Sequence, residues 1–515
     1  MCYSFPMSDT HDLLAEIGRL RTLLEQADAA NLRKDARIAT LEKLVAAFKQ
    51  AAFGRRSEKA DPDQFDLALE DIETAIAAIH AEEDAEDLKA QRPVRKRNAN
   101  RGALPTHLPR VEVVIEPDSL TCTCGGSLHC IGEDSSERLD VIPAQFRVIV
   151  TRRPKYACRT CTDGVAQAPA APRLIQGGLP TEATIAHVMV SKYADHLPLY
   201  RQAQIYARQG LDLDRSTLAD WVGRAAFELR PVFDALMQDL KQSTKLFMDE
   251  TRAPVLDPGA RKTRTGYFWA LARDDRPWGG AAPPAVVFTY APGRGGQHAE
   301  HILQGFGGIL QVDGYAGYNR LVRPGRNIRL AYCWAHARRK LIEITRMGPA
   351  PIAQEGLRLI RALYAIEAEI TGNDPETRLQ VRQSRSAPVM AELAQWLTQN
   401  RARLSAKSNL GEAMAYLAKY WDGLQIFLTD GRVEIDNNPV ERTIRPIALN
   451  RKNALFAGHE TGAENWALIA SLIETCKLNQ IDPFAWLSTT LTAIVLGHKQ
   501  SNIDQLMPWA FKPSV

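Results

Sequence analysis

The sequence predicts an α+β multidomain chain: a mixed sheet carrying a helical insertion, preceded by a coiled coil, a cysteine-bearing β domain and a helical domain. Three observations predict it. Apolar positions near the N-terminus keep a 4-3 spacing, Leu13, Ile17, Leu20, Leu24, Ala27, Asn31, Lys34, Ile38, Leu41, Val45 and Phe48, which is the a/d seam of a coiled coil. Four cysteines form two close pairs, Cys122 with Cys124 and Cys158 with Cys161. Beyond residue 244, β-branched and aromatic runs are first spaced as a meander and then separated by helical patterns, the signature of a mixed sheet with helices rather than a doubly wound one.

Bulk properties narrow the function classes. A chain of 515 residues has room for about two to four domains. A net charge of +4 is too mild to prove a polyanion partner, so local charge must decide. There is no run of about 18 apolar residues to cross a membrane. The opening "MCYSFPMSDTHDLL" lacks the basic start and apolar core of a signal peptide. Eight scattered cysteines fit a reducing cytosol, where a cluster binds metal more often than it forms disulfides.

Residues 1–60 form the coiled coil, a dimerisation arm that would make the chain a homo-oligomer; the competing reading is one amphipathic helix packed on its own protein. Asn31 and Lys34 in the seam cost stability and can fix register. Residues 61–110 form a linker, acidic first and then basic in "QRPVRKRNANRGALPTHLPR"; it either tracks phosphates or is a solvated joint.

Residues 111–175 form the zinc-binding β domain. Four thiolates from two knuckles suit tetrahedral Zn²⁺ and leave no open position for catalysis; the competing reading is a cluster of small buried thiols that binds nothing. The second knuckle is Cys-x-x-Cys. The first, Cys122-Thr-Cys124, is one residue short, so Cys130 or His129 competes as a ligand. The segment "RLDVIPAQFRVIVTRRPKYAC" between the pairs reads as strands.

Residues 176–238 read as helical and helix-turn-helix-like. One helix runs from Leu199 to Arg208 and stops at Gly210; a second begins near Arg215. In DNA-binding versions the second helix meets base edges with its first residues, here Arg215, Ser216 and Thr217. A plain helical hairpin gives the same pattern.

Residues 239–460 carry the mixed sheet, with a helical insertion at about 347–430, and residues 461–515 close as a C-terminal helical domain. Three acids stand out. Asp249 lies in the first strand, Asp313 ends the fourth, and Glu441 heads the helix after the insertion, among Arg442, Arg445, Arg451 and Lys452. Carboxylates from distant segments can share two Mg²⁺ or Mn²⁺ ions, which serve phosphoryl transfer, while the basic neighbours hold phosphates. Glu250 competes with Asp249, and Asp436 with Glu441. Cys333 and His336 have metal-like spacing; the competing reading holds no ion there.

Together these residues resemble the transposases of the IS66 insertion-sequence family. "FGRRSEK", "CGG" with "RPKYACRTC", "VSKYADHLPLYRQ", "DETR", "QVDGYAGYN", "CWAHARRK", "DNNPVERTIRP" and "NRKNALFAGHETGAENWA" occur in the family's order over nearly the whole chain. The resemblance implies a ribonuclease-H-like catalytic fold with an Asp-Asp-Glu (DDE) triad on Asp249, Asp313 and Glu441, and zinc on the cysteines, where the short first knuckle departs from the family's pattern. It also implies metal-dependent cleavage and joining of DNA strands at element ends and target, and accessory proteins from the same element. The setting implied is the bacterial cytoplasm, nucleoid-associated when bound to DNA. His336, Arg338, Arg339 and Lys340 would contact DNA. Two other readings fit: a DNA-binding protein derived from a transposase without catalysis, and a hydrolytic nuclease of the same fold.

Overall fold

The computed structural model describes residues 16–22, 24, 145–157, 165–175 and 178–512, except 258–261, 324, 406, 455–456 and 458–459. The chain divides into two compact units, Met1–Phe146 and Arg147–Val515. In the first, residues 16–22 are helical, with Ile17, Leu20 and Leu24 exposed. The rest of the expected seam, most of the linker, and Cys122, Cys124, Cys158 and Cys161 lie outside the described residues.

The second unit opens with a short antiparallel hairpin, β1 (Lys155–Ala157) and β2 (Val165–Gln167), whose register pairs Ala157 with Val165. The strand expected upstream of it is not formed over residues 145–154, and Val148, Ile149 and Val150 are exposed. Alternation and branching favour a strand only where a neighbour supplies hydrogen bonds and a packing surface; here Arg153 is held instead by side-chain bonds, its carbonyl accepting from Gln167 Nε2 and its Nη1 donating to Ala168 O, each at 2.9 Å.

Three helices follow: α1 (Glu182–Tyr193), α2 (Leu199–Arg208) and α3 (Arg215–Lys241). Thr181 caps α1 by accepting the Thr184 N–H at 3.3 Å. Gly210, at φ +81°, turns the chain out of α2, a conformation that favours glycine. Helix α3 buries Leu218, Trp221, Val222, Ala225, Leu229, Val232 and Leu236 along one stripe, which is helical spacing sustained through most of its length.

The central sheet has the spatial order β5-β4-β3-β6-β7. Its members are β3 (Lys245–Asp257), β4 (Lys262–Arg273), β5 (Ala285–Ala291), β6 (Gly308–Val312) and β7 (Ile328–Tyr332). The first three pair antiparallel as the expected meander; β6 and β7 then join parallel to β3. Leu246, Phe247 and Met248 are fully buried, as a central strand covered on both faces requires. A helix, α4 (Gly296–Ile302), makes the crossover from β5 to β6. Strand β3 outruns β6, and along its free edge Pro254 O accepts the Ala457 N–H at 2.9 Å while Leu256 N–H donates to Ala457 O at 2.8 Å. Proline is tolerated on such an edge because its missing N–H faces no strand.

Strand β7 runs through Cys333 into α5 (Trp334–Thr345), and the insertion follows as α6 (Pro351–Ile370), α7 (Pro375–Val381), a π-helical turn (Arg382–Ser386), α8 (Ala387–Arg401) and α9 (Asn409–Leu424). It builds its own core around Leu359, Ile360, Leu363, Leu393, Met414 and Leu417. The chain then returns through α10 (Asn438–Ala454), α11 (Glu460–Leu478) and α12 (Pro483–Val495).

The helices at 176–238 and 461–515 share one core with the sheet, in which Ile185, Leu229, Phe288, Leu468 and Leu487 all take part. Helix α11 covers the edge strand β5. Its Thr475 hydroxyl accepts the Val286 backbone N–H at 3.2 Å and its Ser471 hydroxyl accepts the Phe288 N–H at 2.7 Å. Side-chain oxygens thus stand in for the missing neighbour strand and block edge pairing. No described helix is long and apolar enough to cross a membrane.

Candidate active site at the ends of the parallel strands

Strand register brings the first two acids together. Phe247 of β3 is level with Gln311 of β6, so continuing the parallel register sets Asp249 level with Asp313. Asp313 follows the carboxyl end of β6, and Asp249 lies within β3 just past the end of its parallel pairing with β6, beside the strand ends where open α/β sheets collect functional groups. Gly314, at φ +102°, turns the chain immediately after Asp313. Tyr416 of α9 donates to Asp313 O at 2.7 Å, and Asp313 Oδ1 accepts the Tyr315 N–H at 2.7 Å.

The third acid arrives on α10, which packs against β3. Three contacts fix its entry. Gln311, fully buried in β6, donates to Glu434 O at 2.9 Å and accepts the Glu434 N–H at 2.9 Å. Trp334 N–H donates to Ile435 O at 3.0 Å. Buried Asn437 donates from Nδ2 to Met248 O at 3.3 Å, one residue before Asp249. Glu441 therefore heads its helix over the strand ends.

The electrostatics follow from that convergence. Burial holds the Asp249 carboxyl well above the usual carboxylate range, reinforced by the charges of Asp313, Glu250 and Glu441. Its hydrogen bond is from the next backbone N–H, Glu250 N at 2.8 Å, and no described cation pairs with it. Glu441 Oε1 and His336 Nδ1 are buried without a hydrogen-bond partner and lie 3.8 Å apart. Burial pushes the His336 imidazole below its ordinary value, opposed by Glu441 and Asp313.

The two competing acids are occupied. Glu250 accepts from Arg294 Nε at 2.6 Å and from Tyr318 Oη at 2.6 Å. Asp436 accepts the Asn438 N–H at 3.1 Å, Asn438 Nδ2 at 2.7 Å and Tyr364 Oη at 3.3 Å, which spends it on the start of α10. Asp249, Asp313 and Glu441 do not form a set whose ligand atoms all approach within 4.8 Å; among the described residues that set is Cys333, His336 and Glu441.

The basic residues flank the acids on two helices. Arg442, Arg445 and Lys452 are exposed on α10, and Arg338, Arg339 and Lys340 on α5. Arg451 is half-buried and donates to Arg252 O. Lys340 Nζ sits 4.8 Å from the centre of the Tyr416 ring. At the head of α3, Arg215 and Ser216 are exposed and Thr217 is half-buried.

Sequence reasoning missed Gln311, Asn437 and Tyr416. The signal for Gln311 was available, a polar residue inside the apolar strand "GILQV". Replacing it with leucine strips partners from the Glu434 N–H and carbonyl. The expected loss is ~2–6 kcal/mol of stability, at ~1–3 kcal/mol for each of the two groups left unsatisfied; urea denaturation of Gln311→Leu checks it, and an unchanged midpoint would sink the clamp.

The mixed sheet thus carries carboxylates beside its parallel strands, is interrupted by a helical insertion and has basic residues on two neighbouring helices. The Transposase IS66 family model matches residues 177–465, more than half of the chain. Three further models match in order: Transposase C of IS166 homeodomain at 40–113, the zinc-finger binding domain of transposase IS66 at 119–162, and the IS66 C-terminal element at 471–509. The chain belongs to the IS66 transposase family. It is 45% identical to the uncharacterized protein y4jD of Sinorhizobium fredii (strain NBRC 101917 / NGR234) over 91% of this chain and 94% of that one. It is 43% identical to the uncharacterized protein y4qI of the same strain, over 97% and 92%.

Proposed function

We propose that the chain is a DDE transposase that binds insertion-sequence ends, cleaves DNA strands and joins their 3′-hydroxyls to target DNA. One observation carries this: Asp249, Asp313 and Glu441 approach one another from two adjacent parallel strands and a helix, and no described cation offsets Asp249. The strand order, three antiparallel and two parallel, supports a ribonuclease-H-like fold.

The donor set fits hard divalent cations. It is all carboxylate oxygen, and Glu441 Oε1 is buried without a hydrogen-bond partner. Asp249, Asp313 and Glu441 would hold Mg²⁺ or Mn²⁺, which when bound offsets phosphodiester charge and lowers the pKa of a coordinated water or hydroxyl. The chain's own work is placement. The β3–β6 register aligns the two aspartates, Gln311 and Asn437 seat the start of α10, and Arg338, Arg339, Arg442 and Arg445 present cations for DNA phosphates. The head of α3, with Arg215, Ser216 and Thr217, supports recognition of the element ends.

The test is strand joining with pre-cleaved element-end DNA, a plasmid target, Mg²⁺ and the element's accessory proteins. Joined product from the parent and none from Glu441→Gln is the expected result. Equal product from both would remove Glu441 from the triad. Cutting without joining would replace this function with hydrolysis.

The zinc-finger match supports one Zn²⁺ on Cys122, Cys124, Cys158 and Cys161. Elemental analysis of the purified protein is expected to find it, and Cys158→Ser to lose it; protein free of zinc would remove the site.

A further inference from the structure

Cys333, His336 and Glu441 are brought together by two helix starts. Cys333 follows β7 as the N-cap of α5, and His336 comes at i+3 in the first turn, so the two side chains lie on one side of the helix start. Glu441 lies in the first turn of α10. The two starts are tied directly, since the Asn437 N–H donates to Cys333 Sγ at 3.2 Å. The sulfur, the imidazole nitrogen and the carboxylate oxygen all lie within 4.8 Å of one another.

We propose that these three side chains form a transition-metal site of the Zn²⁺ class that shares Glu441 with the carboxylate triad. Donors bonded to tetrahedral zinc at ~2.0–2.3 Å stand roughly 3.3–3.8 Å apart. His336 Nδ1 and Glu441 Oε1 are already 3.8 Å apart, and the remaining pairs need only close modestly. That 3.8 Å is too long for a hydrogen bond. Both atoms are buried without another partner, a condition that costs about 1–3 kcal/mol per group and that a metal would relieve. A sulfur, a nitrogen and an oxygen select Zn²⁺, Co²⁺ or Cd²⁺ over Mg²⁺. Three protein donors leave one position open.

The site has a regulatory consequence, which rests on the catalytic assignment of Glu441. An ion held by α5 and α10 occupies the one oxygen of Glu441 that is buried and unpartnered. Zn²⁺ bound there withdraws Glu441 from the cluster with Asp249 and Asp313 and inhibits joining.

The test uses the full-length protein carrying one Zn²⁺ per chain, that of the cysteine domain, and Co²⁺ as the probe. One further Co²⁺ per chain is expected, with a thiolate charge-transfer band. Cys333→Ser and His336→Gln should each lose the band while keeping the parent melting curve. No additional Co²⁺ in the parent, or equal uptake in whichever variant melts like the parent, overturns the site. In the Mg²⁺ joining reaction, micromolar Zn²⁺ is expected to reduce the parent at least tenfold and to leave Cys333→Ser active. Co²⁺ binding without Zn²⁺ inhibition overturns the sharing of Glu441. Co²⁺ binding in a protein that never joins DNA under any condition overturns the catalytic assignment and leaves the metal site standing.

Discussion

Asp249→Asn is expected to abolish strand joining and, at the same time, to raise the melting temperature of the metal-free protein. The first effect follows from the proposed ligand role. Losing roughly 4 kcal/mol of metal-borne charge stabilisation in the transition state is a rate loss of about a thousandfold. The second follows from the carboxyl's surroundings. Burial and the charges of Asp313, Glu250 and Glu441 raise the folded-state pKa of Asp249 well above its ordinary value. A carboxyl whose pKa is raised on folding binds its proton more tightly in the native state, so stability falls as pH rises from the unfolded pKa through the folded one. At neutral pH, above the ordinary carboxylate range, the native state therefore carries a penalty that asparagine removes without changing the side chain's shape. The gain should appear as ~1–2 °C for each kcal/mol of repulsion relieved, at ~2.1 cal/mol/K of unfolding entropy per residue in a unit of this size. Mg²⁺ is expected to raise the melting temperature of the parent and not of Asp249→Asn. Calorimetry with and without Mg²⁺ checks both, and a variant that melts below the metal-free parent would show that Asp249 stabilises the fold instead of straining it.

What the sequence made legible was what is local. Each strand of the meander announces itself by branching and alternation, and Asp313 announces itself by ending an apolar run before a glycine. The competition between Glu250 and Asp249 was not legible. It turns on Arg294 and Tyr318, 44 and 68 residues further along, which fold back to take the Glu250 carboxylate. Asp436 is spent partly on a neighbour, Asn438, and partly on Tyr364, 72 residues earlier. The shared core of α1–α3 with α11 and α12 was equally out of reach, because amphipathic spacing tells that a helix has a buried face but not which surface covers it. The upstream strand expected over residues 145–154 failed for the same reason, since a strand needs a partner that propensity does not name.

The largest stability effect expected lies inside the insertion. Arg382, fully buried on the π-helical turn, pairs with Glu367 of α6 through Nε at 2.8 Å and Nη2 at 2.6 Å. Its Nη1 donates to Phe427 O at 3.0 Å and Asp430 O at 3.2 Å. Arg378, also fully buried, lies 3.5 Å from the same Glu367 oxygen and 2.9 Å from Glu434. Single-turn π segments are rare in helices; here the turn carries Arg382, which reaches Phe427 O and Asp430 O in the segment that leads to Glu434 and Glu441. Arg382→Met leaves Glu367 buried with only its longer contact to Arg378. Breaking one side of a buried pair costs about 3–5 kcal/mol, whereas replacing both partners with apolar residues of similar volume is often neutral. Arg382→Met and Glu367→Leu should each lower the urea midpoint sharply, and the double variant should recover most of the loss. A double variant that loses the sum of the two singles would mean that the residues act independently. The Arg382–Glu367 pair would then carry no weight in holding the insertion, and the contacts of Glu434 with Arg378 and Gln311 would be left to seat the start of α10.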